Sequence, residues 1–173
     1  EGQRHHAAVG RADNAMHLVE HLVRGGYVVA APDYPLTSSA AHTKVRFADV
    51  SDVAQQTRDV KFIIDRLLAD PGLGPIIDRE KIGSTGHSLG AVTSYFSSFG
   101  MQTRDPRIKA TALIAGGDPV ESALMTDMGL LGTGHARVRV PALFLSAEKD
   151  AFALITGQPY ASYSRVEGPK TEV

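Results

Sequence analysis

The chain has 173 residues, of which 43% are apolar and 21% are charged, and this length is sufficient for one domain with a hydrophobic core. Its 18 Lys and Arg residues nearly balance its 19 Asp and Glu residues, so the net charge of −1 gives no electrostatic reason to expect a nucleic acid or an anionic membrane as partner. The absence of cysteine excludes disulfides, thiolate catalysis and cysteine zinc sites, and no apolar run approaches the ~20 residues of a transmembrane helix.

The first half of the chain alternates amphipathic and apolar segments. Apolar side chains recur every three or four positions over residues 12–24, which predicts a helix that ends at Gly25-Gly26. The continuous apolar run at 27–31 predicts a strand that is buried on both faces. A second amphipathic helix is predicted from about Val50 to Ala69, with Asp52 on its solvent side.

The second half continues this alternation. Strands are predicted at 81–85, 108–115 and 140–146, and helices at 89–99, 122–128, 151–155 and 160–164. Alternating helices and uniformly apolar strands predict the α/β class, here a three-layer α/β/α parallel sheet with about four strands. Since no repeat, low-complexity tract or linker interrupts the pattern, residues 1–173 are predicted to form a single domain.

The segment Gly86-His87-Ser88-Leu89-Gly90 matches the nucleophile-elbow pattern G-x-S-x-G. The pattern alone arises by chance in about one chain in nine of this composition. Its structural context therefore decides whether Ser88 is interpreted as a nucleophile. It follows a predicted strand and opens a predicted helix, where a serine hydroxyl is lifted above the sheet and the helix N-terminus faces the reacting oxygen. This context favours Ser88 as a nucleophile over an ordinary Gly-Ser turn.

Three carboxylates are candidates for the acid that would orient a catalytic base. Asp150 is the first choice, because it comes four residues after Ser146 at the carboxyl end of a predicted strand, where parallel sheets bind ligands. Asp118 follows the preceding strand in a similar loop, and Glu148 is the third candidate. Each of them could instead be a solvated turn carboxylate or a helix cap.

The base is missing from its expected place. In this architecture the order is Ser, acid, His, and no histidine follows Asp150. The pair at residues 5 and 6 has no further ligand at useful spacing, so no metal site is expected there. We interpret all seven histidines as surface or structural residues: His5, His6, His17, His21, His42, His87 and His135.

Five segments resemble the α/β-hydrolase fold superfamily and, more narrowly, bacterial serine esterases of the dienelactone-hydrolase and platelet-activating-factor-acetylhydrolase-like group. The elbow segment is the most specific of them. In chain order they are Leu18–Leu36, Asp59–Leu68, Ile77–Ala91, Val140–Asp150 and Pro169–Val173.

The resemblance implies a lipase-like hydrolase that cleaves small-molecule or lipid-like carboxylic esters through an acyl-enzyme. It implies Ser88 as nucleophile, Asp150 as triad acid and the backbone N–H of Leu89 as an oxyanion donor. Gly86, His87 and Gly90 would support the elbow. No cofactor is implied.

Two departures from the family pattern concern the ends of the chain. The family's third strand, with a His-Gly motif, is not recognised before the first helix, and the catalytic histidine normally follows the eighth strand, beyond Val173. We therefore expect the sequence to be a segment of a larger domain that lacks both ends and has little triad activity alone. The alternative is an intact protein that has lost its base.

Two other functions remain open. A polyester or cutin hydrolase shares this layout, although the aromatic content of 6% and the absence of tryptophan argue against it. A non-catalytic binding module with the same fold is the third interpretation. The sequence does not indicate acyl or alcohol specificity, oligomeric state or compartment, so both a cytoplasmic and a secreted protein fit.

Overall fold

Six parallel strands form one sheet in the computed structural model, which describes residues 3–6, 16–37, 50–116, 135–147 and 159–173. The strands are β1 (Gln3–His6), β2 (Val28–Ala30), β3 (Ile82–His87), β4 (Ile108–Ile114), β5 (Ala142–Leu145) and β6 (Lys170–Glu172), and their spatial order is β2-β1-β3-β4-β5-β6. The α-helices are α1 (Met16–Arg24), α2 (Val53–Ala69), α3 (Leu89–Phe99) and α4 (Pro159–Arg165), with short 3₁₀ turns at Val50–Asp52 and Gly74–Ile76.

The predicted α/β class with a parallel sheet is confirmed. The four predicted apolar strands correspond to β2, β3, β4 and β5, and β6 lies within the Pro169–Val173 segment. The predicted helices at 50–69, 89–99 and 160–164 correspond to α2, α3 and α4. The helix predicted at 12–24 is described from Met16 onwards, and those predicted at 122–128 and 151–155 lie outside the described residues. None of the described helices is both long and apolar enough to span a bilayer.

Strand β1 corrects one expectation from the resemblance. It comes before the first helix and pairs with β2 on one side and β3 on the other. The expectation that this strand is missing is therefore wrong, although the residue after His6 is Ala7 rather than the glycine of the family motif. Local pattern did not predict this strand because its sequence, Gln-Arg-His-His, contains no apolar residue.

The strand order contains a switch point between β1 and β3. The chain passes from β1 to β2 on one side of the sheet, and from β3 through β4 to β5 and β6 on the other. In open α/β sheets, ligands bind outside the carboxyl ends of the strands at such a point. The topology therefore predicts a ligand site next to the ends of β1 and β3, after His6 and His87.

Helix α3 lies at the centre of the structure, and all eleven of its residues are buried. It packs on β3 and β4 and against α2. Phe96 and Phe99 belong to a core cluster with Leu113 of β4 and Phe144 of β5. Burial of an aromatic side chain of this size contributes about 1.5–3 kcal/mol, so the helix that follows Ser88 is firmly held.

A hydrogen-bonded polar group connects α2 to α3 inside this core. Gln56 Nε2 donates to Thr37 Oγ1 at 2.7 Å, and Thr93 Oγ1 donates to Gln56 Oε1 at 2.6 Å. Asp52 is 8% exposed, with its Oδ2 3.4 Å from Gln56 Nε2. The prediction that Asp52 lies on the solvent side is wrong, because the segment after β2 packs on this end of α2.

An ion pair ties the start of β4 to α2. Arg107 donates from Nε to Asp105 Oδ1 at 2.9 Å and from Nη2 to Asp105 Oδ2 at 2.6 Å, and its Nη1 donates to Asp65 of α2. Burial acts to raise the pKa of the Asp105 carboxyl. Hydrogen bonds from the Arg107 side chain and N–H, together with the charges of Arg107 and Lys61, outweigh burial and lower that pKa.

We expect Asp105→Asn to lower the free energy of unfolding by about 1.5–3 kcal/mol at pH 7, because it removes the charge that Arg107 binds. The folded pKa lies below the unfolded value of about 3.9, so the contribution of the carboxylate is complete above about pH 4 and is lost as the pH falls through the folded pKa. Urea unfolding of both proteins at pH 7 and at several lower pH values measures this. A difference that stays constant down to about pH 2 would contradict the assignment.

Candidate active site

Ser88 occupies the turn between β3 and α3 with a left-handed backbone, φ 53° and ψ −119°. Its carbonyl oxygen accepts hydrogen bonds from the N–H groups of Ala91 at 2.9 Å and Val92 at 3.2 Å. The helical hydrogen bonds therefore begin at Ala91, and the N–H groups of Leu89 and Gly90 lie ahead of them at the helix N-terminus. Ser88 is half-buried, so its position combines a strained backbone with partial access to solvent.

Three residues around Ser88 are the ones that the sequence pattern assigns to the support of the elbow. Gly86 and Gly90 are both buried. His87 is exposed, and its backbone pairs with Ile114 of β4. The supporting role expected for His87 stays a prediction.

The carboxyl ends of β3, β4 and β5 meet at one rim of the sheet. His87 is in register with Ile114, and Ile114 with Leu145. The N–H of Ser88 donates to Ile114 O at 2.9 Å, and the N–H of Ala115 donates to Leu145 O at 2.8 Å. The residues that follow these three strands are therefore neighbours, although more than 55 positions separate Ser88 from Ser146 in the sequence.

All three candidate acids, Asp150, Asp118 and Glu148, lie outside the described residues. Strand β5, which precedes Asp150 in the sequence, lies two strands from β3, roughly 10 Å away. The role of Asp150 as triad acid stays a prediction.

His135 lies at the opposite end of α3 from Ser88. Its Nδ1 is 2.8 Å from Tyr95 Oη, and its ring stacks on Phe99 with the centroids 5.5 Å apart. Burial lowers the pKa of this imidazole, and the positive charge of Arg165 lowers it further, against a smaller opposing effect of Glu167. About ten residues of helix, or roughly 15 Å, separate this site from the elbow, so the structural role expected for His135 fits its position.

The other histidines provide no base among the described side chains. His17 and His21 are exposed on α1, and His42 lies outside the described residues. His5 and His6 lie in β1, an interior strand, so their backbone is part of the sheet rather than of the surface. Within the described ranges no group of three or more His, Asp or Glu residues is placed to hold a metal ion.

Sequence reasoning missed two residues beside the elbow. Ala115 has a left-handed backbone with φ 50°, and Gly116 follows it. A Cβ atom on Gly116 would lie 2.6 Å from Ser88 O and 3.0 Å from Ala91 Cβ. The pair Gly116-Gly117 was the only sequence signal that the backbone here approaches Ser88 closely. The left-handed backbone of Ala115 had no sequence signal, because glycine or asparagine is the usual residue in that conformation.

Comparison with solved structures finds the same fold in esterases. A ferulic acid esterase from Streptomyces cinnamoneus superposes with a TM-score of 0.68 at 20% identity, over 99% of this chain and 50% of that one. The apo form of Thermogutta terrifontis esterase 2 gives 0.64 at 13% identity, over 100% of this chain and 72% of that one. The paraoxon-phosphorylated form of the same esterase gives 0.62 at 13% identity, over 100% of this chain and 70% of that one.

These likenesses show the fold, an α/β-hydrolase-type sheet, and confirm the fold that the sequence resemblance implies. This chain spans half the length of the ferulic acid esterase. No protein-family model and no curated protein sequence matches it. The narrower likeness to dienelactone hydrolases and platelet-activating-factor acetylhydrolases stays a prediction.

We expect Ser88→Gly to be more stable than Ser88→Ala. Glycine adopts φ 53° without the strain of about 1–3 kcal/mol that a Cβ atom incurs there, and this gain exceeds its extra entropy cost of about 0.5–1 kcal/mol. Urea denaturation measures the difference, which should be roughly 0.5–2 kcal/mol in favour of glycine.

The matched control for this test is Ser94, in the middle of α3 with a helical backbone. There Ser94→Gly should be less stable than Ser94→Ala by about 1 kcal/mol, because glycine is the poorer helix former. If glycine is also the less stable residue at position 88, the backbone of Ser88 carries no strain.

Proposed function

We propose that this protein is a serine hydrolase that cleaves carboxylic esters through an acyl-enzyme, with Ser88 as the nucleophile. The observation that carries the proposal is the left-handed backbone of Ser88 at the N-terminus of a buried helix, beside the switch point of a parallel sheet. A turn of this kind is typical of a nucleophile whose hydroxyl is presented beside the N–H groups of a helix N-terminus.

The chemistry follows from this geometry. Ser88 Oγ attacks the ester carbonyl carbon, a histidine accepts the hydroxyl proton, and the carbonyl oxygen becomes an oxyanion. When the intermediate collapses, the alcohol leaves with the proton from the histidine and the acyl group stays on Ser88. Water, deprotonated by the same histidine, then attacks the acyl carbon; the bond to Ser88 Oγ breaks, Oγ takes the proton back from the histidine, and the carboxylic acid leaves. Asp150 holds the imidazole in orientation and stabilises its charged form. The histidine is assigned to residues beyond this sequence, as the family resemblance implies.

The oxyanion needs donors, and the N–H of Leu89 is the first. It lies ahead of the helical hydrogen bonds of α3, and a donor of this kind contributes about 2.7–4 kcal/mol to the transition state. No metal or organic cofactor enters the scheme.

The solved neighbours support an ester substrate and a site that an organophosphate can phosphorylate. Thermogutta terrifontis esterase 2 is phosphorylated by paraoxon and has been seen with propionate bound, and the other neighbour is a ferulic acid esterase. We propose small-molecule or lipid-like esters as the substrate class, in line with the resemblance to the dienelactone-hydrolase and platelet-activating-factor-acetylhydrolase-like group.

The first test replaces Ser88 with alanine in the full-length gene product. We expect Ser88→Ala to abolish hydrolysis of p-nitrophenyl esters and covalent labelling by a fluorophosphonate, because both need the hydroxyl. Ser164→Ala, which removes an exposed serine of α4, should keep both. Labelling that persists without Ser88 would place the nucleophile elsewhere, and a wild-type protein that is never labelled would support a non-catalytic binding module.

A second test separates the candidate acids. We expect Asp150→Asn to lower kcat by roughly 10⁴-fold, the effect of turning the acid of a Ser-His-Asp triad into its amide, while KM changes little. Asp118→Asn and Glu148→Gln should leave kcat within a few-fold of the wild-type value. If the large loss of kcat occurs instead in Asp118→Asn, the triad acid is Asp118, which follows β4, and not Asp150.

A further inference from the structure

We propose that the Ala115-Gly116 turn after β4 is a positioning device for the elbow, which fixes the Ser88–Leu89 peptide group and thereby the oxyanion donor. This inference rests on the proposed function of Ser88. It assigns a role to two residues that belong neither to the nucleophile motif nor to the triad.

The first argument is the contact between Gly116 and the elbow. A Cβ atom at residue 116 would lie 2.6 Å from Ser88 O, closer than real Cβ contacts. The backbone of Gly116 does not have a positive φ, so alanine is excluded by the neighbouring atom and not by the conformation of the glycine itself. Glycine is therefore required at this position for its absence of a side chain.

The second argument is that Ser88 O and the N–H of Leu89 belong to one planar peptide group. A contact that fixes the oxygen also fixes the direction of the N–H. An added methyl group that pushes Ser88 O away must turn this peptide group, and with it the Leu89 N–H that is proposed to bind the oxyanion. The contact thus acts on the transition state more than on the bound substrate.

The third argument is a row of hydrogen-bonded peptide groups along the rim. The peptide group between Ile114 and Ala115 accepts from the N–H of Ser88 at 2.9 Å and donates to Leu145 O at 2.8 Å. The next peptide group, between Leu145 and Ser146, donates to Val173 O at 3.0 Å. The end of β4 therefore links the elbow directly to the strand that leads to Asp150.

The fourth argument is the backbone of Ala115. Within the described residues, Ser88 and Ala115 are the non-glycine residues with positive φ, and they are adjacent across the rim. Such strain persists where the surroundings hold it, and it clusters at functional sites. At φ 50°, Ala115 turns the chain so that Gly116 comes to lie against Ser88 O.

The experiment compares Gly116→Ala with Gly168→Ala in the full-length gene product. A Cβ atom at residue 168 would lie 2.6 Å from Val140 O, the same clash with a backbone carbonyl, but at the amino end of β5 and away from the rim. Melting temperature, kcat and KM for p-nitrophenyl acetate, and the rate of fluorophosphonate labelling are measured for both variants and the wild type.

We expect both variants to melt at a lower temperature, since the two clashes are alike. Only Gly116→Ala should lose kcat, by roughly 10- to 1,000-fold with KM within about threefold, as when an oxyanion donor is misdirected. Equal kcat losses in the two variants, or a kcat of Gly116→Ala within twofold of wild type, would overturn the positioning role.

Ala115→Gly keeps the test decisive if Gly116→Ala does not fold. Ala115→Gly adds no atoms and removes the strain of a Cβ atom at a positive φ, so the melting temperature should not fall. The more flexible turn should lower kcat at least threefold. An unchanged kcat would overturn the inference. If the wild-type protein is not labelled by the fluorophosphonate, the proposed function and this inference are both overturned. If the wild type is labelled normally but Gly116→Ala and Gly168→Ala lose kcat equally, only this inference is overturned.

Discussion

The left-handed backbone of Ser88 is the constraint on which the candidate site depends. A non-glycine residue at φ 53° costs about 1–3 kcal/mol, and the surrounding structure has to hold it. Here the hydrogen bond to Ile114 O fixes the turn on one side, and a completely buried helix fixes it on the other. Since α3 cannot move without exposing its aromatic residues to water, the strain stays localised at the serine.

Several polar side chains of the buried helix α3 have hydrogen-bond partners inside the core, although Ser97 Oγ has none. Ser84 of β3 lies 3.2 Å from Ser98 Oγ of α3 and 3.0 Å from Thr111 Oγ1 of β4, so these hydroxyls satisfy one another between helix and sheet. Gln56 and Thr93 do the same between α2 and α3. Small hydroxyl residues permit the close approach that the elbow needs, and the hydrogen bonds remove the cost of burying them.

The fold and the strand–turn–helix context of Ser88 could be predicted because they depend on local pattern, and the role of Ser88 as nucleophile stays a prediction. The bounds of α3 agree with the prediction, and the apolar runs located four of the six strands. Strand β1 could not be predicted because a polar sequence becomes an interior strand only through its pairing on both sides. The positive φ of Ala115 could not be predicted because neighbouring strands, and not its own residue type, impose its conformation. Asp150 could be placed only by the rule that parallel strands end at one rim, and it stays a prediction.

Backbone hydrogen bonds along the rim explain how this sheet can tolerate large changes in sequence. Two consecutive hydrogen bonds, from Ser88 to Ile114 and from Ala115 to Leu145, set the distance between the elbow and the strand that leads to Asp150. Both join backbone atoms, which substitution does not remove unless proline is introduced. Side chains then matter at the few points where backbone approaches backbone, as at Gly116. This fits a fold shared with TM-scores above 0.6 at only 13–20% identity.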